Sequence, residues 1–321
     1  MRRLASALAR FTLRYVLMFL FIVAVLAGAR LVISEFEEFR RAQEELAALN
    51  GGRQSIEALL YFVLAPIAAR RAPVSVLPGG SGVVETASPA GSARSAEVAI
   101  EGGEELLVHP AYLQSSPAGA SKDTKWLLDW AYPLSSLAAG MVALIRMRAG
   151  KPESVVISAT RDPLDEVGLL RVPAGSAVVL HPRNLVAVAY GRQTPLKITT
   201  RWRVGSLHAW LTLQLRYVVF HGPARLVVKG CRGVRVEKAG GGRRIDPAAT
   251  IGFSANLAYS TARSDTFAAY LMGEQPLFVD SFAGSDGACI YEETLRADAR
   301  TGLFGRGLEG FSDAMLKAFG L

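Results

Sequence analysis

Three residues of types that bind metals each stand directly before a proline: His109, His181 and Asp246. Two histidines and one carboxylate are the ligand set of non-haem iron sites, if the fold brings the three side chains together. A second interpretation needs no metal, because a side chain before a strand-end proline can accept a hydrogen bond from a nearby backbone N–H. We favour the second interpretation and predict no metal site, no cofactor and no catalytic residue.

The other residues that could do chemistry are isolated in the sequence. His208 and His221 flank a predicted strand, a setting in which a histidine is more often a partly buried polar residue than a catalyst. Cys231 and Cys289 are too few for a disulfide framework or a cysteine-rich zinc site, and we expect both to be small buried side chains. Residues 240–244, Gly-Gly-Gly-Arg-Arg, are typical of a hairpin turn, although such a run can also grip a phosphate. Because no GxxxxGK[ST], HExxH, CxxC or GxSxG motif is present, we predict that the protein is not an enzyme.

The three proline sites belong to an internal repeat, which is the most informative pattern in the chain. Each repeat predicts a short strand, a glycine turn, a second strand, the His-Pro or Asp-Pro pair and an apolar strand. The repeat cores lie near residues 97–113, 169–185 and 234–250. Their prolines, spaced by 72 and 65 residues, are Pro110, Pro182 and Pro247, and the glycines with the same spacing are Gly103, Gly175 and Gly240.

The repeat predicts the fold class. Glycine permits a tight turn between two strands, and proline suits the end of a strand because it lacks an N–H. One such unit would leave an apolar face exposed, whereas three units around a pseudo-threefold axis can bury their apolar faces together. We therefore predict a mainly β protein, a pseudo-threefold β-sandwich or barrel of three repeated units, with an N-terminal transmembrane helix and stalk and a few peripheral helices.

The β domain is predicted to span residues 73–295. Short β-branched or alternating segments, separated by glycine and proline, predict its strands. They are residues 155–158, 168–172, 177–180, 185–190, 197–203, 209–220, 224–229 and 234–237. An uncharged run that ends at Arg146 and Arg148 predicts an inserted helix over residues 134–148. Residues 78–96, rich in Gly, Ser, Pro and Ala, predict a flexible loop or a loose edge hairpin.

The N-terminus predicts a membrane anchor. A basic segment, residues 1–14, precedes residues 15–34, which are apolar except for Arg30 and long enough to cross a hydrocarbon core of about 30 Å. The positive-inside rule places the N-terminus on the cytoplasmic or matrix side. Two alternatives stay open: a signal peptide cleaved so that residues 1–29 are lost, and a mitochondrial presequence.

Two further segments are predicted to be helical. Residues 35–72 read as a stalk followed by an apolar helix at 58–69, whose length is too short to span a bilayer. That segment is either a buried or interfacial helix packed on the stalk, or a re-entrant or second membrane helix. Residues 296–321 place apolar side chains on one face of a C-terminal amphipathic helix. That helix either docks on the domain or contacts a partner or the bilayer.

Charge argues against nucleic-acid binding. The net charge is +8, but residues 1–34 hold five basic residues and no acidic one. Removing these five from the 36 basic residues leaves 31 against 28 acidic residues. A nucleic-acid-binding domain needs its excess on the folded part of the chain, so we predict no nucleic-acid partner.

The residues of the repeat resemble a known family. The matching positions are Gly175, Pro182, residues 184–187 (Asn-Leu-Val-Ala), residues 220–223 (Phe-His-Gly-Pro), Asp246, Pro247, residues 251–253 and residues 282–287. This pattern, over about residues 95–295, resembles the altered-inheritance-of-mitochondria family of mitochondrial-biogenesis proteins, which share a fold with the tryptophan-RNA-binding attenuation proteins. The resemblance implies a pseudo-threefold all-β domain without catalytic activity and a role in inner-membrane organisation. The chain departs from the family in its N-terminal membrane helix and in Ala224, where the family has a second glycine.

These observations predict a non-catalytic, membrane-anchored scaffold, assembly factor or accessory subunit of a larger inner-membrane complex. Its partners would be the bilayer, through residues 15–34, and other membrane-protein subunits. The location would be a mitochondrial or bacterial inner membrane, crossed once. The alternative is a membrane-tethered sensor that binds a small-molecule ligand between repeats, as the resemblance to the attenuation proteins implies.

Overall fold

The computed structural model describes residues 57–66, 74–77, 84–86, 92–133, 136, 140–159, 162–202, 216–272 and 274–295. They fall into two compact units. The predicted segments 1–14, 15–34 and 296–321, as well as His208, lie outside the described residues. Within the described residues, none of the helices is both long enough and apolar enough to be a bilayer span.

The smaller unit combines residues 57–66 with the segment 263–277. Residues 57–66 are helical, with a π-helical stretch over Leu60–Leu64, and the second segment contains the short helix α1 (Phe267–Leu271). Tyr61 is buried, donates a hydrogen bond from Oη to the Ser264 carbonyl at 2.8 Å and packs its ring 5.3 Å from that of Phe267. The predicted domain boundary is therefore wrong at this point, because segment 263–277 lies within 73–295 in sequence but belongs to the smaller unit.

The larger unit is mainly β, as predicted. Its first described strands are β1 (Val74–Ser75), β2 (Glu85–Thr86), β3 (Ser92–Ala93), β4 (Ser95–Ile100), β5 (Glu104–Val108), β6 (Leu113–Ser115), β7 (Ser121–Leu127), β8 (Val142–Arg148), β9 (Glu153–Ser158), β10 (Asp165–Val172) and β11 (Ala177–Leu180). The remaining described strands are β12 (Leu185–Gly191), β13 (Lys197–Trp202), β14 (Arg216–His221), β15 (Ala224–Cys231), β16 (Val234–Lys238), β17 (Arg243–Ile245), β18 (Thr250–Ser254), β19 (Ala258–Arg263), β20 (Phe278–Ala283) and β21 (Ala288–Glu292). Single-turn 3-10 helices cover Pro110–Tyr112 and Pro182–Asn184.

The strands pair in an order that recurs along the chain. Three consecutive strand sets are β4–β9, β10–β15 and β16–β21. In each set the sixth strand lies between the first and the third, as in β4-β9-β6, β10-β15-β12 and β16-β21-β18. The fifth strand lies between the second and the fourth, as in β5-β8-β7, β11-β14-β13 and β17-β20-β19.

Neighbouring strand sets are joined edge to edge. Strand β5 pairs with β12 in the next set, with Val108 opposite Ala187. Strand β11 pairs in the same way with β18, with Leu180 opposite Gly252. Leu180 follows Val108 by 72 residues and Gly252 follows Ala187 by 65 residues, which are the two spacings of the repeated prolines. The sheet connections therefore follow the period of the sequence repeat.

The repeated glycines lie in tight turns, as predicted. Gly103, Gly175 and Gly240 have φ values of 91°, 79° and 33°, in the left-handed region that favours glycine. Each turn is closed by a backbone hydrogen bond between its ends. The bonds run from Glu104 N to Glu101 O, from Ser176 N to Pro173 O and from Gly242 N to Ala239 O.

The predicted helix over residues 134–148 is wrong in its described C-terminal part, which forms β8 between β5 and β7. Its side chains alternate: Arg146 and Arg148 meet acids on one face, whereas Met147 is buried in the core on the other. A short apolar run is compatible with either a helix or a strand, and pairing with β5 and β7 stabilises the strand. In residues 78–96, the short strands β2 and β3 each pair with β10 and follow one another along its edge. Among the described residues they do not pair with each other, so they do not form the predicted hairpin.

The hydrophobic core explains the apolar strands. The sheet that contains β12 is covered on both faces, so all residues of Leu185–Tyr190 are buried. Leu226 and Val228 of β15 pack into one buried cluster, and Val227 between them packs into another. Burying each such side chain contributes roughly 1.5–3 kcal/mol, so these strands fix the sheet that carries the polar groups described next.

Candidate functional site

The three residues before the repeated prolines begin the same backbone turn. The residue three positions later donates its N–H to the carbonyl of His109, His181 or Asp246, at 3.0, 3.0 and 2.9 Å. The His109 Nδ1 also accepts from the Ala111 N–H at 3.2 Å, and the Asp246 Oδ1 accepts from the Ala248 N–H at 2.8 Å. These side chains therefore make the local contact that the non-metal interpretation predicts.

The metal interpretation finds no support in the geometry. Over the described part of the chain, no group of three His, Cys, Asp or Glu side chains is placed to hold a metal ion. The structure does not bring the side chains of His109, His181 and Asp246 together. Whereas the side chains of His109 and Asp246 bind their own turns, His181 lines a small cavity.

That cavity contains a buried carboxylate that the sequence did not reveal. It has a volume of about 10 Å³, room for about one water molecule, and His181, Tyr259 and Asp280 are among its lining residues. Asp280 is buried and accepts hydrogen bonds from Tyr259 Oη at 2.7 Å and from Thr250 Oγ1 at 2.9 Å. Burial, helped by the charge of Asp280, raises the pKa of Tyr259 well above its usual value, so the phenol stays a donor.

A second buried carboxylate, Glu105, lies at the junction of the first and second strand sets. It accepts hydrogen bonds from Arg148 Nε at 2.5 Å and from Tyr190 Oη at 2.8 Å. Arg148 and Arg146 also bind Asp123 on β7, where the shortest contact is 2.5 Å from Arg146 Nε. Burial alone would raise the pKa of Glu105, but the bonds from Arg148 and Tyr190 outweigh it and the pKa is lowered. The Glu105 carboxylate is therefore ionised, and its contacts stabilise the fold.

Further polar contacts connect strand sets that are adjacent in sequence. Arg225 of β15 forms an ion pair with Glu104 of β5. Lys229 of β15 donates to Tyr112 Oη at 3.1 Å, on the chain between β5 and β6. Asn184 Nδ2 lies 3.4 Å from Glu292 Oε1 of β21. Both junctions, first with second and second with third, therefore carry polar contacts as well as paired strands.

The isolated histidine and cysteines have the surroundings of structural residues. The His221 Nε2 lies 2.8 Å from Thr199 Oγ1, and burial, aided by the charges of Lys197 and Arg201, lowers its pKa. Cys231 and Cys289 are buried and are not joined in a disulfide, and burial raises the pKa of Cys289 to about 12. A thiol that stays protonated is a poor nucleophile, which agrees with the predicted role of a small buried side chain.

The glycine-rich tip at residues 240–244 is a tight turn. It connects β16 to β17, which belong to different sheets, and its backbone closes with the bond from Gly242 N to Ala239 O at 2.7 Å. Arg243 Nη2 lies 2.6 Å from Glu237 Oε1 across the turn. Because one of the two arginines pairs next to the turn, the geometry favours the turn interpretation over a phosphate-binding loop, although the two strands do not form the predicted hairpin.

Three tryptophans are exposed, which sequence reasoning missed. Trp126, Trp130 and Trp202 are 68%, 68% and 54% accessible to solvent. Trp126 and Trp202 are each the sixth residue of an end strand, β7 and β13, in two different sheets. The alternation of Trp126 with the partly buried Lys125 and Leu127 was the available signal, but no strand had been predicted there. Large exposed aromatic side chains commonly mark binding surfaces.

Comparison with known proteins adds little. No protein-family model matches the chain, and no curated protein matches it. Among solved structures, a crystal structure of a Streptococcus pyogenes protein from a structural genomics consortium is similar with a TM-score of 0.42 and 12% sequence identity. The match covers 72% of this chain and 97% of the other. Likeness at this level carries no argument about function.

Proposed function

We propose that the protein is a non-catalytic, membrane-anchored scaffold, assembly factor or accessory subunit of a larger inner-membrane complex. In this proposal the strand sets β4–β9, β10–β15 and β16–β21 are three repeats around a pseudo-threefold axis, and the chain is related to the altered-inheritance-of-mitochondria family. The recurring pairing order and the joints of β5 with β12 and of β11 with β18 support the repeat. Residues 15–34 serve as the anchor.

One observation carries the scaffold role. Buried or half-buried charged side chains hold strands and strand sets together instead of converging on a ligand-sized cavity. Glu105 holds Arg148 and Tyr190, and Arg225 holds Glu104 across the same junction. Fully satisfied polar networks of this kind rigidify a protein and help to specify one arrangement of its core. A rigid body with exposed aromatic side chains suits binding to other proteins.

Isolation of the full-length protein tests this function. The tagged chain is purified from its membrane fraction in a mild detergent, and its mass and companions are measured by native mass spectrometry. We expect stoichiometric membrane-protein partners, and we expect Trp126→Ser to reduce their yield more than Lys151→Gln, a substitution of an exposed residue elsewhere. A monomer that carries no partner would contradict the scaffold.

A further inference from the structure

The second strand set carries a strong charge asymmetry. Residues 165–231, from the start of β10 to the end of β15, contain nine lysines and arginines and two acidic residues, although the whole chain has 36 basic and 28 acidic residues. Some of these cations form ion pairs, as Arg225 does with Glu104 and Lys229 with Asp165. The others leave an excess of positive charge on this part of the protein.

Part of this excess is exposed on β13, the end strand of its sheet. Lys197 and Arg201 are both exposed, and none of the ion pairs within the described ranges involves either residue. Their charges act together on His221, where they add to the effect of burial in lowering its pKa. The end of β13 is therefore a positive edge that no carboxylate of the described chain neutralises.

Aromatic side chains lie on the other face of the same end strand. Because side chains alternate along a strand, Trp202 points to the face opposite Lys197 and Arg201. There the rings of Trp202 and Tyr132 are each 5.3 Å from the Arg216 Cζ, and the Arg216 Nε is buried with no hydrogen-bond partner among the described residues. Trp130 lies two residues from Tyr132, and its Cα is thus within about 7 Å of the Tyr132 Cα. The sheet edge at β13 therefore carries cations on one face and aromatic groups on the other.

We propose that the basic aromatic edge, defined as Trp130, Lys197, Arg201, Trp202 and Arg216, docks on a bilayer surface that contains acidic phospholipids. Lipid phosphates supply the anions that lysine and arginine need, and tryptophan favours the level of the headgroups. The anchor of the proposed function, on which this inference rests, would hold the edge near a bilayer.

A nucleic acid also offers phosphates, but the composition favours lipid. The exposed residues Trp130 and Trp202 are apolar bodies with a polar tip, suited to a boundary between water and hydrocarbon. Burial of apolar side chains adds to charge attraction on an anionic bilayer.

Quenching of tryptophan fluorescence by brominated lipid chains tests the docking. The full-length protein is reconstituted into vesicles of phosphatidylcholine alone, or of phosphatidylcholine with phosphatidylglycerol. We expect stronger quenching with phosphatidylglycerol, and we expect salt to weaken the effect. The double substitution Lys197→Gln, Arg201→Gln should lower the ratio of docked to undocked protein about 30-fold. The matched control Lys122→Gln, Lys151→Gln removes two exposed charges from the first strand set and should leave quenching unchanged.

The outcomes separate docking from the other proposals. Equal quenching in the two lipids, or equal loss in the control, would overturn docking. Docking would also be overturned if the solubilised chain bound an oligonucleotide tightly near physiological salt and the double substitution abolished that binding. If the double variant loses its circular dichroism signal, Trp202→Ser replaces it and should reduce quenching with the charges intact. Extraction at alkaline pH reports the anchor, and the partner yield reports the scaffold, so each can fail independently of docking.

Discussion

At the residue scale, Glu105 is the clearest case of a charge used to hold strands together. Replacing it in Glu105→Gln removes the carboxylate that Arg148 and Tyr190 bind. We expect the free energy of unfolding to fall by about 1–3 kcal/mol, because a hydrogen-bonded charge is lost and Arg148 keeps only Asp123 as a carboxylate partner. Urea unfolding followed by circular dichroism measures the change.

The pH dependence of the same variant gives an independent check. Because the pKa of Glu105 is lowered in the folded protein, its stabilising contribution is present above the unfolded value of about 4.3. That contribution is lost as the pH falls below this value, so the wild-type protein should lose stability faster in acid than Glu105→Gln. The control Glu97→Gln, at an exposed position of β4, should match the wild type in both measurements. Equal losses of stability in Glu105→Gln and Glu97→Gln would show that the burial and hydrogen-bond partners of Glu105 do not contribute to stability.

His221 gives a second prediction at the residue scale, for a side chain whose ionised form is positive where that of Glu105 is negative. Burial first, and the charges of Lys197 and Arg201 second, lower the pKa of His221 in the folded protein. The unfolded chain therefore binds a proton at this histidine at a higher pH than the folded protein does. Stability should therefore fall as the pH drops through the unfolded value of about 6.5. The variant His221→Gln should lose less stability than the wild type between about pH 7.5 and pH 5.5, measured by urea unfolding. Parallel curves for the two proteins would contradict the assignment.

At the scale of the elements, the joint between β11 and β18 depends on a glycine. A Cβ on Gly252 would lie 2.2 Å from the Val179 carbonyl oxygen and 2.6 Å from Leu180 Cδ2. The variant Gly252→Ala must move the two strands apart, and we expect it to reduce the free energy of unfolding by about 1–3 kcal/mol. The control is Gly150→Ala, where a Cβ would meet nothing within 4 Å. Similar stability of the two variants would show that this joint tolerates separation.

Local patterns in the sequence predicted many of the elements. The segment 177–180 is β11 to the residue, because a short apolar run between glycine and proline admits few alternatives. The repeated glycine turns were also predictable, since their conformation depends on the residue itself. Strand β8 was missed because its apolar run fits a helix equally well until β5 and β7 provide partners.

The polar sites could not be predicted from the sequence for a related reason. Asp280 meets Thr250 and Tyr259 only after β18 and the strands that follow have paired. Glu105 and Tyr190 are 85 residues apart and carry no motif. Conversely, His109 and Asp246 stood out by type and spacing, but local turn geometry explains both side chains. Long-range contacts, rather than residue type, decide which polar side chains lie together.

At the scale of the whole molecule, the two cysteines report whether the strand sets unfold together. Cys231 lies in β15 of the second set and Cys289 in β21 of the third, and both are buried. If paired edges and polar contacts make the sets one cooperative body, both thiols should become reactive at the same urea concentration. Pulsed alkylation followed by mass spectrometry measures each site, and Ser154→Cys, at an exposed position, should react without urea. Earlier labelling of one native cysteine would show that one set opens by itself, and the rigid scaffold would then lose its physical basis.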